Sequence, residues 1–166
     1  MNKEEIIQKL GLLPHPEGGY YKEMYRSEGV ISNADLGSEY EGDRNYSTAI
    51  YFMLTSDTFS AFHKINQDEF WFFHSGDPVE FHTIKQNGEH SVIKIGNDIA
   101  NGESPQHCVY GGDWFAAKVD GENGFALVSC TVSPGSGFRD FVLPSGEELI
   151  KEFPQHEKLI KEFTRS

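Results

Sequence analysis

Apolar and polar residues alternate along this chain in short runs, rich in Phe, Tyr, Ile and Val and broken by Gly, Pro, Asn and Asp. Most runs are too short for helices and suit strands instead. Residues 19–26 (GYYKEMYR) predict a strand with Tyr21, Glu23 and Tyr25 on one face and Arg26 on the other. Residues 46–54 are almost wholly apolar, as in a strand buried on both faces. Residues 79–85 and 91–95 flank Asn87-Gly88, a turn pair that accepts positive φ, and so predict a hairpin. Further strands are predicted at 106–110, 114–119 and 125–132, with a turn at 120–124 and a last edge at 138–143. Residues 27–45 are polar and glycine-dotted and read as a long surface loop, a length that suggests cover for a site or a partner.

Helical spacing occurs only at the ends. Ile6, Ile7 and Leu10 form one face before a Gly11 stop. Ser145 and Glu148 stand at capping-box distance ahead of residues 146–153, and Pro154 opens a second C-terminal helix. About ten short strands with terminal helices predict an all-β antiparallel barrel or jelly roll, one domain over residues 1–166.

The densest chemistry lies in residues 59–78, FSAFHKINQDEFWFFHSGDP. Two β-rich runs joined by Asn66-Gln67-Asp68 read as a hairpin. The period of two then puts His63 on one strand and Glu69, Trp71 and Phe73 on the next, all facing one interior. An imidazole and a carboxylate brought together this way suit proton transfer, because imidazole titrates near neutrality.

The charge narrows the partners. Fourteen Lys and Arg against 26 Asp and Glu give a net charge of −12, which repels phosphate backbones and argues against nucleic acid. Cys108 and Cys130 sit in apolar runs without a CxxC spacing and are expected as free thiols. The charged first residues lack a signal-peptide core, and no apolar run is long enough for a membrane span. A cytoplasmic location is expected.

Several segments together resemble the cupin superfamily: HPEGGYYKEMYRS, STAIYFML, FHKINQDEFWFFHSGDPVEF, GDWFAA and CTVSPGSGFRDF. They are similar to a single-domain branch catalogued as a domain of unknown function. The resemblance implies a jelly-roll (cupin) β-barrel, a homodimer and a small-molecule ligand in the barrel mouth. The 19–26 strand is the candidate for exchange between subunits. In metal-binding cupins the first motif supplies two His and a Glu and the second a further His. Here His63 and Glu69 match, but Ile65 and Phe115 stand at the other two positions, so no metal and no cofactor are expected. Recruitment of a metal would have to come through His74, His82, Gln106 or His107.

A more distant resemblance links Tyr21 and Glu23 to metal-free cupins that epimerise nucleotide-linked sugars. Gly18 stands where those proteins place a phosphate-binding Arg. The reading is therefore a small-molecule cupin. The candidate activity is metal-independent epimerisation or isomerisation of a sugar or related polar metabolite, with His63 and Glu69 as a hydrogen-bonded catalytic pair. Tyr21, Glu23, Trp71, Phe73, Gln106 and Trp114 are the expected ligand contacts. Two other readings stand beside it: a non-catalytic binding or sensor protein, and a metal-dependent cupin enzyme. Glu17 in HPEGGY is read as a turn cap, Arg26 as the partner of an acidic neighbour, and Asp140 as a brace for the barrel.

Overall fold

A computed structural model describes residues 1–122 and 124–165. Asn123, within the expected 120–124 turn, lies outside the described residues. Three helices, α1 (Lys3–Leu10), α2 (Gly146–Glu152) and α3 (Glu157–Glu162), flank a β-rich middle. The strands are β1 (Leu13–Pro14), β2 (Tyr20–Arg26), β3 (Val30–Ile31), β4 (Arg44–Asn45), β5 (Thr48–Thr55) and β6 (Ser60–His63). They continue with β7 (Asp68–Gly76), β8 (Val79–Ile84), β9 (His90–Ile95), β10 (Gln106–Val109), β11 (Trp114–Val119) and β12 (Phe125–Ser133).

Two sheets carry the fold: a six-stranded one ordered β1-β2-β5-β12-β7-β10 and a four-stranded one ordered β6-β11-β8-β9. The strand pairings in both are antiparallel. The sheets face each other as an incompletely closed jelly-roll barrel. Phe52, Trp71, Phe81, Phe115 and Val128 fill the space between them. This is the all-β, end-capped architecture that the strand count and the Asn87-Gly88 hairpin predict. Gly88 has φ 88°, and the backbone N–H groups of Lys85 and Gly88 close the turn.

The helices cover outer faces. Ile6 and Leu12 pack on Met53 under α1. Leu149, Phe153, Ile160 and Phe163 pack on Phe62, Ile84, Trp114 and Ala116. Asn2 and Ser145 cap α1 and α2 by accepting from Glu5 and Glu148 backbone N–H groups.

Three local expectations are corrected. The runs around His63 and Glu69 are not a hairpin: β6 pairs with β11, whereas β7 pairs with β12 and β10 in the other sheet. Residues 64–67 cross between sheets, held by the Lys64–Val142 bridge and by Gly112 N–H donating to the Ile65 carbonyl. Short polar links look alike in sequence whether they reverse a strand or change sheets.

In β2 the pairing to β5 shifts between Glu23 and Tyr25, a bulge that carries Arg26 round to the side of Glu23. Arg26 and Glu23 form an ion pair there. Residues 138–143 form a 3-10 turn over Phe138–Asp140 and one bridge residue, rather than an edge strand.

The 27–45 stretch is more than a polar loop. The β3–β4 pair stiffens it, and buried Arg44 ties it to buried Asp140 at 2.6 Å. Asp140 also accepts from Gln67 Nε2 (2.8 Å) and from Gly137 N–H (3.0 Å), so one carboxylate joins three segments at the barrel mouth.

Candidate functional site

Between the sheets, near the end where β6 and β7 meet their crossover, lies an inner pocket of about 80 Å³. His63 enters from the four-stranded sheet; Glu69, Trp71 and Cys130 enter from the six-stranded one. His15 and Glu17 come from the segment before β2, and Ile50, Ile65 and Phe141 supply apolar wall. Through His15, Thr48, Ile50, Ile65 and Phe141 it continues into an outer cleft of about 370 Å³, where Tyr21, Glu23 and Arg26 lie.

His63 is held firmly. Its Nδ1–H donates to the Ala61 carbonyl at 2.7 Å, and its ring lies against Phe115 (4.1 Å between centroids) and stacks on Phe141 (5.0 Å). That tautomer leaves Nε2 with a lone pair inside the pocket. Facing Nε2 at 3.6 Å is Glu17 Oε1, not Glu69. The expected hydrogen bond between His63 and Glu69 is absent among the described residues, because the two residues belong to opposite sheets.

Glu17 is the residue that sequence reading undervalued. It is 6% exposed, and its Oε2 lies 2.9 Å from His15 Nδ1 but off a hydrogen-bonding axis, so this buried acceptor has no donor. The same ring nitrogen accepts from Glu17 N–H at 3.3 Å. Glu17 is thus a carboxylate set between two imidazoles. The turn-cap reading is corrected: the Glu17 carboxylate caps no turn, and the positive φ of Gly18 and Gly19 shapes the turn that swings it inward. The two prolines and two glycines of residues 14–19 (PHPEGG) are the signal that points to it.

Glu69 is in a different electrostatic state. Burial, then repulsion from Glu17, raises its pKa from 4.5 to about 8, against smaller stabilising contacts from Cys130 and Trp71. It is partly reachable through the pocket yet deeply surrounded by protein. It carries a proton at neutral pH. The Cys130 thiol beside it is also raised, by burial first and then by Glu69 and Glu17.

The other expected contacts divide. Tyr21, Glu23 and Trp71 line the pocket or its outer cleft. Phe73 packs against the interior core beyond it. Gln106 is exposed on β10, and Trp114 faces the opposite side of its sheet, under the C-terminal helices and beneath Lys64. Alternation decides this: in β11, Phe115 and Ala117 point inward, so Trp114 and Ala116 point out. Neither Gln106 nor Trp114 is a pocket residue.

The residues expected to recruit a metal do not line the pocket. His74 lies on the outer face, bonded to Ser129. His82 lies against Phe163 on the helix-covered side, and His107 packs edge-on to Phe81. Ile65 and Phe115 offer no lone pair. Among the described residues no three His, Cys, Asp or Glu side chains are arranged to hold a metal. Nor is any helix among them long and apolar enough to cross a membrane.

Two facing sheets with an acid–base pocket in the barrel mouth define a double-stranded β-helix protein of the cupin kind. The chain belongs to the Cupin superfamily branch described as DUF985, which it matches over residues 4–144. It is 32% identical to the Saccharomyces cerevisiae protein YML079W over 93% of this chain and 81% of that one. A Leishmania major protein superposes with a TM-score of 0.92 at 35% identity, covering 100% of both chains. Protein SO0799 of Shewanella oneidensis gives 0.90 at 36% identity over 99% of this chain and 98% of its own. Bacillus subtilis oxalate decarboxylase shares the fold alone, with a TM-score of 0.54 at 12% identity over 90% of this chain and 36% of its own.

Proposed function

We propose that this cupin binds a small polar metabolite, such as a sugar or related acid, and moves a proton on it without a metal ion. One observation carries the reading: a His63 lone pair beside the Glu17 carboxylate faces a protonated Glu69 across an apolar-walled pocket. A proton acceptor and a carboxyl whose burial raises its proton affinity, held in one site, are the arrangement that separates base from acid.

His63 Nε2 takes a proton from a carbon next to a carbonyl. The imidazolium so formed donates from Nδ1 to Ala61 and from Nε2 to Glu17, so its charge is met on both sides. The released electron pair moves onto the carbonyl oxygen, which accepts a hydrogen bond from the Glu69 O–H. On an α-hydroxy carbonyl, His63 returns its proton to the neighbouring carbon while Glu69 gives its proton to the carbonyl oxygen and takes one from the adjacent hydroxyl, which gives the isomer and restores both residues. The inner pocket has the volume of about two or three waters, enough for the reacting end of a substrate. The outer cleft receives the rest. Arg26 there is already bonded to Glu23, Asn45 and the Ser136 carbonyl, so its guanidinium is engaged where a diphosphate would need it.

The test is solvent isotope wash-in. Ligands co-purifying with the protein are identified by native mass spectrometry and returned to the enzyme in D₂O. Deuterium enters the substrate with the wild type and not with His63→Ala or Glu17→Gln, both remaining folded. A bound ligand that gains no deuterium makes the protein a binding module and ends the catalytic reading. Near-stoichiometric iron, zinc, manganese or nickel lost on His63→Ala would overturn the metal-free one. The assembly we propose is a homodimer acting without nucleic acid or membrane. Residues 19–26 are the candidate strand for exchange between its subunits.

A further inference from the structure

On the far side of the four-stranded sheet from the pocket, three histidines and a glutamate form a continuous chain. Glu80 Oε2 accepts from His82 Nε2 at 2.7 Å, and His82 Nδ1 meets His90 Nε2 at 3.0 Å with the rings 7° from parallel. The His90 ring lies 5.5 Å from that of His156, whose Nε2 donates to the Gly88 carbonyl at 2.7 Å. Lys118 reaches both Glu80 (3.6 Å) and Glu162 of α3 (3.1 Å), and the His82 ring packs on Phe163 (4.8 Å). The cluster therefore sits where the β8–β9 hairpin meets the C-terminal helices.

Those helices also hold the pocket. The Phe163 carbonyl accepts from Phe62 N–H, one residue before His63. Arg165 donates to the Glu17 carbonyl (2.6 Å) and to the Phe59 carbonyl, and lies over the Phe59 ring at 4.0 Å. Ala61 N–H donates to that same Glu17 carbonyl at 3.0 Å. One C-terminal segment thus fixes the backbone of both Glu17 and the His63 strand.

We propose that residues 154–165 form a pH-sensitive strap: the Glu80–His82–His90–His156 cluster holds them to the sheet at neutral pH, and acid releases them together with the Arg165 anchor on Glu17. The proton count gives the mechanism. A hydrogen bond between two imidazole nitrogens needs one N–H and one lone pair. The pair is satisfied when neutral. With one added proton, one N–H still meets one lone pair. A further proton sets N–H against N–H beside a third imidazole. Burial, then His82, then His156 hold the His90 pKa below its usual 6.5. A depressed His pKa keeps its stabilising contribution above 6.5 and loses it as pH falls through the folded value.

This device does not depend on the reaction assigned to the pocket, and its test reads backbone protection in the full chain by amide exchange. From about pH 7.5 to about pH 5, protection of the Phe62 and Ala61 amides falls. Amides of β5 and β12 do not change over that range. His90→Gln, which keeps a donor toward His82 without adding charge, removes the fall, and so does the His90→Gln/His156→Gln pair. Constant Phe62 protection down to about pH 5, a fall that persists in both variants, or equal loosening of β5 and β12 would each overturn the proposal.

Discussion

Replacing Glu69 by Gln tests the electrostatics of the pocket most directly. In the unfolded chain the carboxyl titrates near 4.5; in the folded protein burial and Glu17 raise it to about 8. Between these values the folded state holds a proton that the unfolded state has released. Stability falls with rising pH wherever the folded state binds more protons. The Glu69 contribution is therefore undiminished below 4.5, declines from there towards 8, and is flat above. Over the interval from 4.5 to neutrality, at about 1.4 kcal/mol per unit, the wild type loses about 3 kcal/mol relative to a residue that cannot ionise.

Glutamine matches protonated glutamic acid in shape and keeps a donor, so Glu69→Gln removes the titration without opening a cavity. Urea unfolding of both proteins at steps from about pH 4.5 to about pH 8.5 measures the difference. The variant gains on the wild type steadily as pH rises, by about 3 kcal/mol at neutrality, and the gain levels off near the folded pKa. A pH-independent difference, or one of opposite slope, would show that Glu69 is an ordinary ionised carboxylate and refute the assignment of it as the acid.

Arg44→Met leaves Asp140 buried without its cation and costs about 3–5 kcal/mol in denaturant unfolding, while the Arg44→Met/Asp140→Leu pair recovers much of it. Gly18→Ala would place a Cβ 2.0 Å from the Phe59 carbonyl oxygen at φ 112°; the lowered melting temperature should exceed that of Gly102→Ala, which meets nothing within 4 Å. Cys130 stays unmodified by iodoacetamide at about pH 8 in the native protein, because burial and two neighbouring carboxyl groups keep its thiol protonated; rapid alkylation at that position would contradict the pocket geometry.

The sequence determined the local character of nearly every element. Period-two alternation marks β12, Asn87-Gly88 marks its hairpin, and Ser145 with Glu148 marks the start of α2. These are readable because each depends on φ/ψ preferences and side-chain spacing within a few residues. The inward facing of His63, Glu69 and Trp71 follows from the same rule and was legible. What tertiary structure alone decided is which strand lies beside which. That His63 and Glu69 face each other from separate sheets depends on the route of the 64–67 crossover and on β11 filling the place beside β6. One bulge in β2 turned Arg26 towards Glu23, and one parity choice in β11 sent Trp114 away from the pocket. Glu17 meets His63 only because Gly18 lies against the Phe59 carbonyl and Arg165, from the other end of the chain, anchors the Glu17 backbone. Contacts between residues so far apart in sequence are fixed by packing, which no local pattern encodes.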